Sequence, residues 1–191
     1  DQKELEEVFG IRAQHVLDPT LLLRAADWLT LEAPIKTPER YVLLYLISPQ
    51  KGDFDFAKQL GRQLGIPVLY VSYSWKSCPG VVNLHDVSPQ QFLYLLHHAQ
   101  LMVTNSFHGT VLSINLQKDF YWQNHARAGR ANARVTEILD QLALSDRAVT
   151  DNRAQAPCEI ADWSAAMERL DRARAESMDY LRRTLEETGR E

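Results

Sequence analysis

Cysteine is scarce: there are two, Cys78 and Cys158, far apart and without metal-ligand spacing. Free thiols in a reducing compartment are the expectation. No stretch reaches the roughly 18 consecutive apolar residues of a membrane-spanning helix, and no signal-peptide pattern is visible. A long basic tract is also missing, and the formal net charge is -4. Nucleic acid is therefore not expected as the main partner, because phosphate backbones call for clustered positive charge. A small anion stays open, since two or three arginines in a cleft suffice. Internal repeats and low-complexity tracts are absent.

What remains is the composition of a globular chain with an adequate core: 191 residues, 45% hydrophobic and 24% charged. The chain opens at Asp1 in "DQKELEEVFGI", which reads as the later part of a helix stopped by Gly10. A longer parent with upstream sequence is the expectation. "AQHVLDPTLLL" (13–23) predicts a short strand, then Asp18-Pro19-Thr20 as the start of a turn or helix. "TLEAPIKTPER" (30–40), with two prolines and no apolar period, reads as a linker.

From residue 41 strand-like and helix-like stretches alternate. "YVLLYLIS" (41–48) is a continuous apolar run suited to a strand buried on both faces. A helix is expected over 55–65, ended by Gly65, then strands at 66–73 and 80–84. "SPQQFLYLLHHA" (88–99) carries a helix start in Ser88, Pro89 and Gln91. "QLMVTNS" (100–106) is the fourth strand, "GTVLSINLQ" (109–117) its helix, and "DFYWQ" (119–123) a fifth strand. This alternation predicts an α/β fold with a parallel sheet and flanking helices. Beyond it come an amphipathic helix over 130–144, a polar loop over 145–161, and a long helix from Trp163 to about Thr188. That last helix carries Trp163, Met167, Leu170, Arg174, Ser177, Leu181 and Leu185 at spacings of three and four. The expected division is 1–37 as the tail of an N-terminal domain plus linker, 38–160 as the ligand-binding domain, and 161–191 as the long helix.

In open parallel sheets ligands bind beyond the carboxyl ends of the strands. Residues 105–110, "NSFHGT", lie at such a joint. A helix N-terminus there favours anions. Gly109 permits close backbone approach, Ser106 and Thr110 offer hydroxyl donors, and His108 adds proton exchange near neutral pH. The pattern reads as a phosphate or carboxylate site with acid–base capacity. "NHARAGRANARV" (124–135) offers His125, Arg127, Arg130 and Arg134 near the same edge, Arg134 being favoured beside Asn132. His97 and His98 read as structural, one toward the sheet and one toward solvent, and no metal cluster is expected.

"SPQQFLYLLHHAQLMVTNSFHGTVLSINLQKDFYW" resembles the signature region of the polysaccharide pyruvyl transferase family, in Ser88-Pro89, Phe92, Thr104 to Gly109 and Lys118-Asp119-Phe120. Upstream, "VLDPTLLL" (16–23) resembles the family's Asp-Pro-Thr segment, and Asn132-Ala133-Arg134 resembles an Asn-Ser-Arg element. Asp119 stands where the family has proline. The resemblance implies a Rossmann-like half of a two-domain, glycosyltransferase-B-type fold, inactive without its N-terminal domain. It implies transfer of a pyruvyl group from phosphoenolpyruvate to a free or lipid-linked glycan of a cell-surface or extracellular polysaccharide, in the cytoplasm or peripheral to the inner membrane face. No cofactor or metal is implied. His108 would be the catalytic residue, with Ser106, Phe107, Gly109, Thr110, Asn132 and Arg134 binding substrate. The alternatives are a nucleotide-sugar glycosyltransferase, which should offer a carboxylate at a strand end near the site, and a non-catalytic anion- or sugar-binding module.

Overall fold

Six short strands run parallel: β1 (Val42–Tyr45), β2 (Val68–Val71), β3 (Val82–Leu84), β4 (Leu101–Thr104), β5 (Phe120–Gln123) and β6 (Ala148–Val149). The computed structural model describes residues 2–47, 49, 52–72, 77–123, 130–149 and 162–188. Their order across the sheet is β3-β2-β1-β4-β5-β6, the order of a doubly wound Rossmann-type sheet. Val42 is in register with Val68 on one side and Leu101 on the other. Chain direction across the sheet reverses between β1 and β4, and that is where a crevice opens at the carboxyl edge.

Strand side chains alternate between two cores, as a pleated strand requires. Val42, Leu44, Val68, Tyr70, Leu101 and Val103 pack on Phe56 and Leu60 of α4 (Asp53–Leu64). Leu43, Leu69, Met102, Phe120 and Trp122 face α5 (Pro89–His98), α6 (Phe107–Asn115), α7 (Arg130–Leu142) and α8 (Ser164–Thr188). The continuous apolar run of β1 follows from this: both faces are covered.

Local signals fold as their chemistry dictates. Ser88 and Gln91 form a reciprocal capping box at the start of α5, and Gly65 closes α4 with a φ of +67°. Before the sheet come α1 (Gln2–Phe9), α2 (Pro19–Leu22) and α3 (Ala25–Leu29). Two expectations fail. The segment before Asp18 forms no strand, and its Leu17 amide instead donates to Ser177 Oγ of α8 at 3.0 Å. The expected loop over 145–161 begins with a 3-10 turn at Ser145–Arg147 and then β6, a strand too short to leave a pattern.

α8 holds the α2 segment by its backbone. Buried Arg174 donates from Nε to Leu21 O at 2.6 Å and from Nη2 to Leu23 O and Asn115 Oδ1 at 3.3 and 2.9 Å. Asn115 Nδ2 in turn donates to Thr20 O and Leu23 O. Of the α8 residues spaced by three and four, Arg174 and Ser177 are thus buried although polar, while Leu185 is 70% exposed.

Candidate functional site

β4 ends in a polar splice that builds the site. Thr104 Oγ1 donates to Tyr45 O at 2.7 Å and accepts the Ser106 amide at 3.0 Å. Asn105 clasps the loop after β1, accepting from Ile47 N at 2.7 Å and donating to Ile47 O at 2.9 Å. These bonds lock the two strands flanking the crevice. Ser106 then caps α6, its Oγ accepting from Gly109 N at 3.3 Å.

The hydroxyls expected to bind a ligand are occupied elsewhere. Thr110 is fully buried and donates its hydroxyl to Ser106 O at 3.0 Å; Ser106 is 2% exposed. Gly109 also has a packing reason to be glycine. Its φ lies outside the left-handed region, and a Cβ there would sit 2.6 Å from Thr104 Oγ1 and 2.9 Å from Met102 Cε. Glycine lets α6 lie against β4. Because two hydrogen bonds pin Thr104, Gly109→Ala should lose stability despite a better helix propensity, by about 1–2 kcal/mol net. Urea unfolding measures it, and an unchanged midpoint would show that α6 can shift away.

Two first-turn amides, those of Phe107 and His108, have no hydrogen-bond partner among the described residues. Beside them the His108 side chain is exposed. Its ring meets Phe107 edge-on, with centroids 5.5 Å apart. Arg134 of α7 lies over the other neighbour: its Cζ is 3.9 Å from the Phe107 ring centroid, and Nη2 is 2.9 Å from Asp18 Oδ2. Arg134 is thus already paired. Asn132 accepts Thr136 Oγ1 on its carbonyl and lines neither of the two hollows at the site. His125 and Arg127 lie outside the described residues, and Arg130 is placed only as the first residue of α7.

Asp18, read from the sequence as the start of a turn or helix and as part of the Asp-Pro-Thr segment, also belongs to this group. Burial alone would raise its carboxyl pKa, but hydrogen bonds from the Thr20 hydroxyl and amide, with the charges of His108 and Arg134, hold it below its ordinary 3.8. A depressed folded pKa means that this carboxylate stabilises the fold above pH 3.8 and that its contribution disappears as pH falls through the lower, folded value. Asp18→Asn should therefore destabilise the chain at neutral pH, with the deficit closing only below pH 3.8. Denaturation curves across that range check it; a deficit independent of pH would assign Asp18 a packing role.

Two hollows flank the start of α6. One, of about 290 Å³, lies among Asp18, Phe107, Arg134 and Glu137. The other, of about 560 Å³, opens at the carboxyl ends of β1 and β2 and is bounded by Trp28, Tyr45, Asp86, Phe92 and His108. Trp28, Tyr45 and Asp86 carried no local signal of function; only Phe92 belonged to a motif. His97 and His98 lie at the far end of α5. His97 Nδ1 sits 3.1 Å from Glu32 Oε2, so this histidine ties the expected linker to α5 rather than facing the sheet. Glu32, His97 and His98 place potential ligand atoms within 4.8 Å of one another, a grouping that sequence spacing did not show.

No curated protein matches the chain. Among solved structures, the dodecameric iron-containing heptosyltransferase TibC, determined in complex with ADP-D-β-D-heptose at 3.9 Å resolution, is similar at 14% identity with a TM-score of 0.42. The similarity covers 81% of this chain and 48% of that one, so this chain spans about half that enzyme's length. Residues 1–124, from α1 through β5, match the polysaccharide pyruvyl transferase family; Asn132 and Arg134 lie beyond the matched region. With that match spanning the Asp18 segment, the crevice between β1 and β4 and the His108 turn, the chain belongs to the polysaccharide pyruvyl transferase family.

Proposed function

We propose that this chain carries the phosphoenolpyruvate-binding part of an enzyme that forms a pyruvyl ketal on a sugar of a cell-surface or extracellular polysaccharide. One observation supports the reading most: an exposed imidazole beside two unpartnered amides at the N-terminus of α6, on the rim of the larger hollow. Phosphate bound at those amides would meet both donors and the positive end of the helix dipole. The enol methylene carbon would then lie within reach of His108.

The chemistry needs a proton delivered and protons removed. Protonation of the methylene carbon makes a methyl group and an oxocarbenium-like centre. One sugar hydroxyl adds to that centre and loses its proton; a second displaces phosphate and closes the ketal. His108 is the group placed to give the first proton or take one from a hydroxyl. Phosphoenolpyruvate is itself the activated donor, so the scheme includes no cofactor. Its supply places the reaction in the cytoplasm or at the inner membrane face, and a facing second domain completes the site. Among the described residues no helix is long and apolar enough to cross a membrane.

Asp86 favours a second reading. It follows β3 at the rim of the same hollow, where a nucleotide-sugar enzyme would want a carboxylate for ribose. Phosphate release from phosphoenolpyruvate, assayed on a protein that also carries the facing second domain, with glycan acceptors and against nucleotide release from ADP- and UDP-sugars, separates the two. Acceptor-dependent phosphate release is expected; nucleotide release alone would replace the first reading by the second.

A further inference from the structure

The larger hollow has a wall that donor binding does not use. Trp28, Tyr45 and Phe92 come from α3, the end of β1 and α5, and each is only partly buried. The rings of Tyr45 and Phe92 lie 4.7 Å apart at 53°. Trp28 donates its indole N–H to Thr20 O at 3.1 Å, which fixes how the ring is presented. Three aromatic groups from separate elements thus leave carbon open around one concavity of about 560 Å³, within the roughly 300–1,000 Å³ usual for small-molecule sites.

At the rim stands Asp86, exposed and held at a φ of +56°. Non-glycine residues adopt that conformation uncommonly, aspartate more readily than most, and it fixes the direction in which the Asp86 side chain leaves the turn. Aromatic faces with a carboxylate suit an uncharged ring that has apolar C–H faces and hydroxyl edges. The described lining residues include no lysine or arginine, so a diphosphate would find its donors only at the α6 amides on the rim and not along the aromatic wall.

We propose that this hollow seats one pyranose ring of the acceptor, stacked on the aromatic wall, with hydroxyls donating to Asp86 and the pair to be bridged turned toward His108. Calling the sugar an acceptor rests on the pyruvyl-transfer reading; its binding does not.

Saturation-transfer NMR on this chain with the methyl α- and β-pyranosides of glucose, galactose and mannose tests the seat. Saturation of aromatic protons should pass to the ring protons of at least one glycoside. Asp86→Asn keeps a residue that tolerates the left-handed backbone and should weaken that glycoside about tenfold. Phe92→Ala should weaken it to a similar degree. Transfer to none of the glycosides, or unchanged affinity in Asp86→Asn, overturns the proposal. So does ADP or UDP binding in the hollow with all glycosides excluded. Glycoside binding to this chain, with no phosphate release from phosphoenolpyruvate by a protein that also carries the facing second domain, would sink the pyruvyl-transfer reading and leave the sugar seat standing. Phosphate release with no glycoside bound would do the reverse.

Discussion

His108→Ala, in a protein that also carries the facing second domain, should lower acceptor-dependent phosphate release from phosphoenolpyruvate by about 10²–10⁴-fold, the range by which a positioned acid or base accelerates proton transfer. Stability should hardly change, because the side chain is exposed and its interactions are an edge contact with Phe107 and a charge interaction with Asp18. The effect should also divide by chemistry. If the backbone amides of Phe107 and His108 bind phosphate, donor affinity survives the loss of the imidazole, and a phosphorus NMR titration would show little change in Kd. The loss would then fall on kcat. His108→Gln restores a hydrogen-bonding group of similar reach without a titratable proton. It should leave affinity unchanged and restore no rate. A variant that releases phosphate near the normal rate removes His108 from the mechanism and leaves α6 as an anion site at most.

Much of the framework was legible because the responsible interactions are local. Ser88 with Gln91, and Gly65, act within a few residues of themselves, so their chemistry is visible in the sequence and reappears in the structure. The two-sided burial of β1 was equally readable, since it demands an unbroken apolar run. The misses are long-range. β6 is two residues long and exists because β5 offers it an edge. Ser106, Gly109 and Thr110 were placed at the correct turn, but their expected tasks depended on what lay beneath the helix. Beneath Gly109 lie Thr104 and Met102, which the missing Cβ accommodates, while the Ser106 and Thr110 hydroxyls bond to the backbone of the turn itself. Trp28 and Asp86 reach the hollow from opposite sides of the chain order, and only the assembled sheet shows that they share it with His108.

Arg174→Met is the substitution expected to damage the fold most. The polar positions in the α8 stripe are the reason the segment carrying Asp18 stays beside α6. Methionine approximates the length of the arginine stem, so packing is largely kept, but Leu21 O loses its donor while buried. Leu23 O and Asn115 Oδ1 lose one donor each. Stranding such groups costs about 1–3 kcal/mol apiece where nothing replaces the bond. Leu23 O still accepts from Asn115 Nδ2, and Asp171 is 45% exposed and can return to water. A total near 3 kcal/mol is therefore expected, a fall in Tm of about 6–12 °C for a domain of this size. Arg172→Met provides the contrast. Its pair with Glu168 is exposed on both sides, at 68% and 76%, and an exposed pair contributes under about 1 kcal/mol. The damage should travel through the anchored segment. Hydrogen exchange at the Leu17 and Leu21 amides should accelerate in Arg174→Met, and the Asp18–Arg134 pair should lose its protection of Asp18 from protonation. If both amides exchange at the normal rate while Tm falls, α8 stabilises the sheet directly, and the route from Arg174 to the His108 turn is broken.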